Sequence, residues 1–107
     1  MPVIHLEYDE NKLSDKEAEA VSVAVRDIVS RVTKIEDVFV YANTARIKVQ
    51  VAPIEFFVQM SASKITDLDA LVLEIKTEIQ DWKMKNNFTM PINLSFIPMN
   101  WKIEIGI

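Results

Sequence analysis

Lys12-Leu13-Ser14-Asp15 returns as Lys64-Ile65-Thr66-Asp67, a cation, a branched aliphatic, a hydroxyl and a carboxylate in the same order at an offset of 52 residues (64 − 12). The hydroxyl is the decisive member. Ser14-Asp15-Lys16-Glu17 has the form of a capping box, in which the Ser hydroxyl and the Glu carboxylate satisfy backbone N–H groups that the first turn of a helix leaves without partners. Thr66-Asp67-Leu68-Asp69 repeats the arrangement with Asp in place of Glu. Two helix starts at one offset predict a duplicated unit.

The flanks repeat as well. Upstream of the first copy, Pro2 to Tyr8 holds β-branched Val3 and Ile4 and aromatic Tyr8; upstream of the second, Glu55 to Ser61 holds Phe56, Phe57, Val58 and Met60. Both read as strands. Downstream, Ala18, Val21, Val25, Ile28, Val29 and Val32 recur at helical spacing, predicting a helix from Asp15 to about Thr33. Leu68, Leu71, Val72, Ile75, Ile79 and Trp82 do the same in a second helix, which the polar stretch Asp81 to Asn87 ends. Strands are then expected at Val38 to Ala42 and Ile92 to Ile97.

Each unit closes on a further alternating run. Arg46-Ile47-Lys48-Val49 resembles Lys102-Ile103-Glu104-Ile105 at an offset of 56 (102 − 46), so Arg46 to Val51 and Trp101 to Ile107 read as accessory strands. The expectation is one domain over residues 1–107, built from two β-α-β-β units at about 1–52 and 53–107. Its class is α+β, with a four-stranded mixed sheet carrying two helices on one face. The accessory strands would either form an intrachain hairpin or extend a neighbouring subunit's sheet and close a ring.

Composition narrows the function. Half of the 107 residues are hydrophobic, one is Gly, and no low-complexity tract occurs, so the chain should fold compactly. A formal charge of −4 argues against a general nucleic-acid binder. No apolar run is long enough to span a membrane, and acids at 7, 9, 10, 15 and 17 argue against a signal peptide, which leaves the cytoplasm as the default. Zero cysteines exclude disulfides and thiolate chemistry, and one histidine, His5, leaves little for a metal. No cofactor is implied.

Met1-Pro2 carries the one pointed chemical possibility. If Met1 is removed, Pro2 becomes a secondary amine at the rigid end of a strand. An ordinary α-amino group has a pKa of about 8, and partial burial would push it towards neutrality, so the neutral amine could take a proton from carbon next to a carbonyl and return it elsewhere. If Met1 stays, the Pro2 nitrogen is an amide without a basic lone pair. Pro53, inside the chain, cannot act in this way. His5, three residues on, falls on the opposite face of the strand.

The order β-α-β-β-α-β with an internal repeat, opened by Met-Pro and an alternating strand, resembles the tautomerase superfamily. Length and duplication resemble the branch of macrophage migration inhibitory factor and 5-carboxymethyl-2-hydroxymuconate isomerase. The resemblance implies a homotrimer, a small enol or keto acid as substrate, and Pro2 as general base. It further implies substrate-binding roles for Lys34, after the first helix, and for Lys12, at the spacing where 4-oxalocrotonate tautomerases place an arginine. Tyr41 and Ser95, at similar places in the two repeats, are hydroxyl candidates for hydrogen bonds to substrate. Arg46 reads as surface charge. The alternative is a non-catalytic oligomeric interaction module of tautomerase-like or ferredoxin-like fold, with Pro2 only a strand start.

Overall fold

In a computed structural model describing residues 1–107, Ser14 starts helix α1 (Asp15–Thr33) as its sequence requires. Its hydroxyl accepts from Glu17 N–H at 3.1 Å, and the Glu17 carboxylate accepts from Ser14 N–H at 3.0 Å. The helix buries Ala18, Val21, Val25, Ile28 and Val29. Lys34 ends it in the left-handed conformation (φ 59°), a position where glycine costs least. Helix α2 (Leu68–Lys85) starts one residue later than Thr66 suggested, because Asp67 is the cap and accepts from Ala70 N–H at 3.1 Å. Of its expected stripe only Ile75 and Ile79 are buried; Leu68 is 36% exposed.

Four strands form one mixed sheet: β1 (Val3–Tyr8), β2 (Phe39–Asn43), β3 (Ile54–Ser61) and β4 (Asn93–Met99). Their order is β2-β1-β3-β4, with β1 parallel to β2, antiparallel to β3, and β3 parallel to β4. Side chains alternate along each strand, so Ile4 and Leu6 of β1 and Ile54, Phe56, Val58 and Met60 of β3 share one face, almost wholly buried under the helices. They pack with Val21, Val25, Ile28 and Val29 of α1 and Ile75 and Ile79 of α2. Each such aliphatic side chain contributes about 1.5–3 kcal/mol by leaving water.

The duplication is geometric as well as sequential. His5 pairs with Phe57, the residue related to it by the 52-residue offset, so a pseudo-twofold axis runs through that pair. In the parallel pairs Val3 faces Phe39 and Glu55 faces Asn93, separations of 36 and 38 residues, so two of the extra residues of the second unit lie between its strands.

The accessory pieces differ from expectation. Neither Arg46 to Val51 nor Trp101 to Ile107 is a strand, and the two do not form a hairpin with each other. A strand persists only where a partner takes its backbone hydrogen bonds. The connection from β2 to β3 must cross the end of β1, so it cannot run along an edge of its own sheet. Val49 and Ile107 are fully exposed, and Ile47 and Ile105 nearly so. The indole N–H of Trp101 donates to the Ser61 hydroxyl at 2.7 Å, which anchors the last segment beside the end of β3.

Candidate functional site

Pro2 heads β1, an interior strand, and its side chain is under 2% exposed. Its carbonyl accepts from Phe39 N–H at 3.1 Å, which locks the chain start to the start of β2. Val3 pairs with Gln59, and one further step of that antiparallel register sets Pro2 opposite Met60. None of the five main cavities includes Pro2 in its wall.

One cavity stands at this end of the sheet. It holds about 250 Å³ and lies between the end of α1 (Val32, Thr33), Met60, the turn Lys64-Ile65-Thr66-Asp67, and the first turns of α2. A single 3-10 turn, Ala62–Lys64, leads into it, with no side chain capping its start. Lys64 is its only cation; Asp67 is held by the Ala70 N–H, and Glu74 is the competing acid. Lys34, exposed and in no ion pair, follows Thr33 at the rim.

The sequence candidates separate into three places. Pro2 and Lys34 share one end of the sheet, because α1 returns the chain to the start of β2, which runs parallel to β1. Lys12 lies beyond the far end of β1, about 20 Å away by strand rise. Tyr41 and Ser95 lie on the helix-free face, in the row Tyr41-His5-Phe57-Ser95 that crosses all four strands. Within one chain they do not meet Pro2, whose neighbour Ile4 in the alternation is on the covered face. The imidazole of His5 stacks on Tyr41 with ring centroids 5.7 Å apart.

Lys64 was not singled out from sequence, although the signal was present. It is the copy of Lys12 at the 52-residue offset, and the antiparallel pairing of β1 with β3 sends the second copy to the end where Pro2 stands. The first copy is sealed instead. Leu13 is 2% exposed, Lys12 and Leu13 both donate backbone N–H to the Asp9 carbonyl, and Asn11 N–H donates to the Asp9 carboxylate. The Tyr8 hydroxyl donates to Asp15 at 2.8 Å. That bond, and then burial, push the Tyr8 phenol above its ordinary pKa.

Elsewhere, a cavity of about 370 Å³ lies between the 45–52 crossover and the far end of the sheet, with Glu7 directly opposite Glu55 in the ladder. Lys48 pins the crossover by an ion pair to Glu10 at 2.9 Å. No group of three or more His, Cys, Asp or Glu side chains is placed to hold a metal ion. No helix is long and apolar enough to cross a membrane.

No family model matches the chain, and no curated protein matches its sequence. Solved structures do match. The domain of unknown function DUF1904 from Sebaldella termitidis superposes with a TM-score of 0.64 at 12% identity, covering 100% of this chain and 98% of that one. The crystal structure of native Ps01740 superposes with a TM-score of 0.62 at 19% identity, covering 95% of this chain and 99% of that one. At such identities the likeness establishes a shared small α+β fold.

Proposed function

We propose that this protein is a cofactor-independent tautomerase, cytoplasmic and active as a homotrimer, in which Pro2, freed of Met1, is the general base on a small enol or keto acid. The observation that supports the reading is that three features stand at one end of the sheet: a proline fixed at the head of an interior strand, a cavity of about 250 Å³ whose wall includes Met60 and Lys64, and the cation Lys34, which like Lys64 is in no ion pair. Burial disfavours a charged ammonium, and a neutral secondary amine at this position can accept a proton. Lys34 and Lys64 attract the substrate carboxylate and stabilise the enolate that forms when the proton leaves.

Assembly is supported by what one chain leaves unpaired. It offers two free sheet edges, β2 and β4, and two alternating apolar segments without partners, each pair related by the pseudo-twofold axis. Copies joined edge to segment can close a ring. In such a ring Tyr41, Ser95 and Lys12 reach a Pro2 site only from a neighbouring copy.

The test is ketonization of phenylenolpyruvate by protein whose mass shows Met1 removed. Pro2→Ala is expected to lower kcat by about 100-fold or more, the usual contribution of a general base. Unchanged turnover in that variant rejects the mechanism.

A second reading has its own support. Phe39, Tyr41 and Ile97 are 42%, 54% and 37% exposed on the helix-free face of the sheet. An apolar uncovered face is what a non-catalytic interaction module would present. Trimers without turnover of any enol acid would favour it.

A further inference from the structure

Asp9 and Ser61 stand at the same place in the two repeats, 52 residues apart (61 − 9), each at the junction of a central strand with its turn. Their side chains are used differently. The Asp9 carboxylate accepts from Asn11 N–H, two residues on in its own turn, at 3.0 Å. The Ser61 hydroxyl heads the 3-10 turn Ala62–Lys64 yet caps none of its N–H groups, and accepts instead from the indole N–H of Trp101 at 2.7 Å. The sheet brings Trp101 there. Strand β4 runs parallel to β3 with Met99 opposite Ser61, so two more steps of that register set Trp101 level with Ser63, within the turn. Little else holds the turn: Ile65 N–H donates to the Ala62 carbonyl at 3.1 Å, and Asp67 caps α2 beyond it. Between the Ser61 and Asp67 anchors lies Lys64, the cation in the cavity wall.

We infer that Trp101 is a positioning residue for the cavity: by holding the Ser61 hydroxyl it fixes the entrance of the turn and so the place of Lys64. A single bond from outside the turn stands where the first junction has bonds within it. Trp101 is half-buried and the bond is partly shielded from water, where a hydrogen bond is stronger than at an open surface. The attraction of an ammonium for a carboxylate or enolate falls with distance, so a loosened turn spreads Lys64 over positions of weaker attraction. Trp101 acts through Ser61 and the turn, and not on substrate. Its meaning for turnover rests on the tautomerase reading, whereas its hold on the turn does not.

The experiment uses the full chain and compares Trp101→Phe, which keeps a ring and drops the N–H, with Ser61→Ala, which keeps the indole and drops its acceptor. Hydrogen exchange followed by NMR reads Ile65 N–H in the second junction and Leu13 N–H in the first. Both variants are expected to speed exchange at Ile65 about fivefold, the value of one ordinary hydrogen bond, with Leu13 unchanged within about twofold. Combining them should add little more. Unchanged exchange at Ile65 overturns the inference, and so does equal acceleration at Leu13, which would mean that the whole fold had weakened. Kinetics then reads the site. Trp101→Phe should lower kcat/KM for phenylenolpyruvate about threefold to fivefold in the parent chain and not at all in Lys64→Ala, because the effect passes through Lys64. An unchanged kcat/KM in an active chain, or the same loss with Lys64 absent, overturns the positioning role. Faster exchange at Ile65 in a chain that turns over no enol acid keeps the anchor and rejects the tautomerase reading.

Discussion

After β1 the chain turns through Asp9 to Ser14 and seals; after β3 it turns through Ala62 to Asp67 and leaves about 250 Å³ open. The four-residue pattern is nearly the same in both. What differs is its support. Asp9 is buried and accepts three hydrogen bonds from the turn, two at its carbonyl and one at its carboxylate, and this draws Leu13 into the core. Nothing equivalent holds the second turn, where the one backbone bond Ile65 N–H to Ala62 closes the 3-10 turn and Ile65 stays half-buried. The two junctions thus differ: one closes the core and the other leaves a cavity at the Pro2 end of the sheet.

The sharpest way to break this comparison is to truncate the aliphatic in each turn. Leu13→Ala is expected to destabilise the fold by about 3 kcal/mol, as a filled core site becomes a cavity, and Ile65→Ala by only about 1 kcal/mol. Urea denaturation measures both, and equal losses would mean that the junctions are equally packed. A smaller effect is expected on binding. Lys64→Ala should raise KM for phenylenolpyruvate about tenfold, the value of one charge-assisted contact, and lower kcat as well, because the same charge stabilises the enolate. Lys12→Ala tests the oligomer: no effect fits a site within one chain, and a comparable rise in KM fits a Lys12 supplied by a neighbouring copy.

The smallest effect concerns the sealed junction alone. The Tyr8 phenol is pushed above its ordinary value chiefly by donating to Asp15, so the folded state holds this proton more tightly than the unfolded chain does. Its contribution to stability is therefore complete below the unfolded value near 10 and is lost as pH rises through the higher folded value. Tyr8→Phe should cost about 0.5 kcal/mol at neutral pH and flatten the loss of stability at alkaline pH. A wild-type chain whose stability does not fall there contradicts the role given to the Tyr8–Asp15 bond.

Much of the fold was legible because its signals are local. Ser14 and Glu17 fixed the start of α1, and the β-branched and aromatic content of Pro2 to Tyr8 and Glu55 to Ser61 marked the two central strands, while which side chains face the helices came from the structure. The second cap was misplaced by one residue because Thr66 and Asp67 are both competent caps, and only the geometry of the preceding turn chooses between them. The accessory strands are absent: alternation in Arg46 to Val51 reports the capacity to pair, and this segment, crossing from β2 to β3, pairs with neither free edge. For the candidate site, Pro2 was a candidate by position and Lys34 only through the family resemblance. Lys64 was readable only through the repeat, and its nearness to Pro2 needed the strand directions.

The sequence by itself determined the duplicated order of strands and helices, the capped helix starts and the buried faces, since each follows from spacing and capping within a few residues. Only the tertiary structure decided that β1 and β3 run antiparallel at the centre, and hence that the second junction, not the first, stands at the Pro2 end. Strand direction is settled by long-range pairing, which no local pattern encodes. The same pairing buries Pro2, a consequence of being at the head of a central strand that the two letters Met-Pro do not carry.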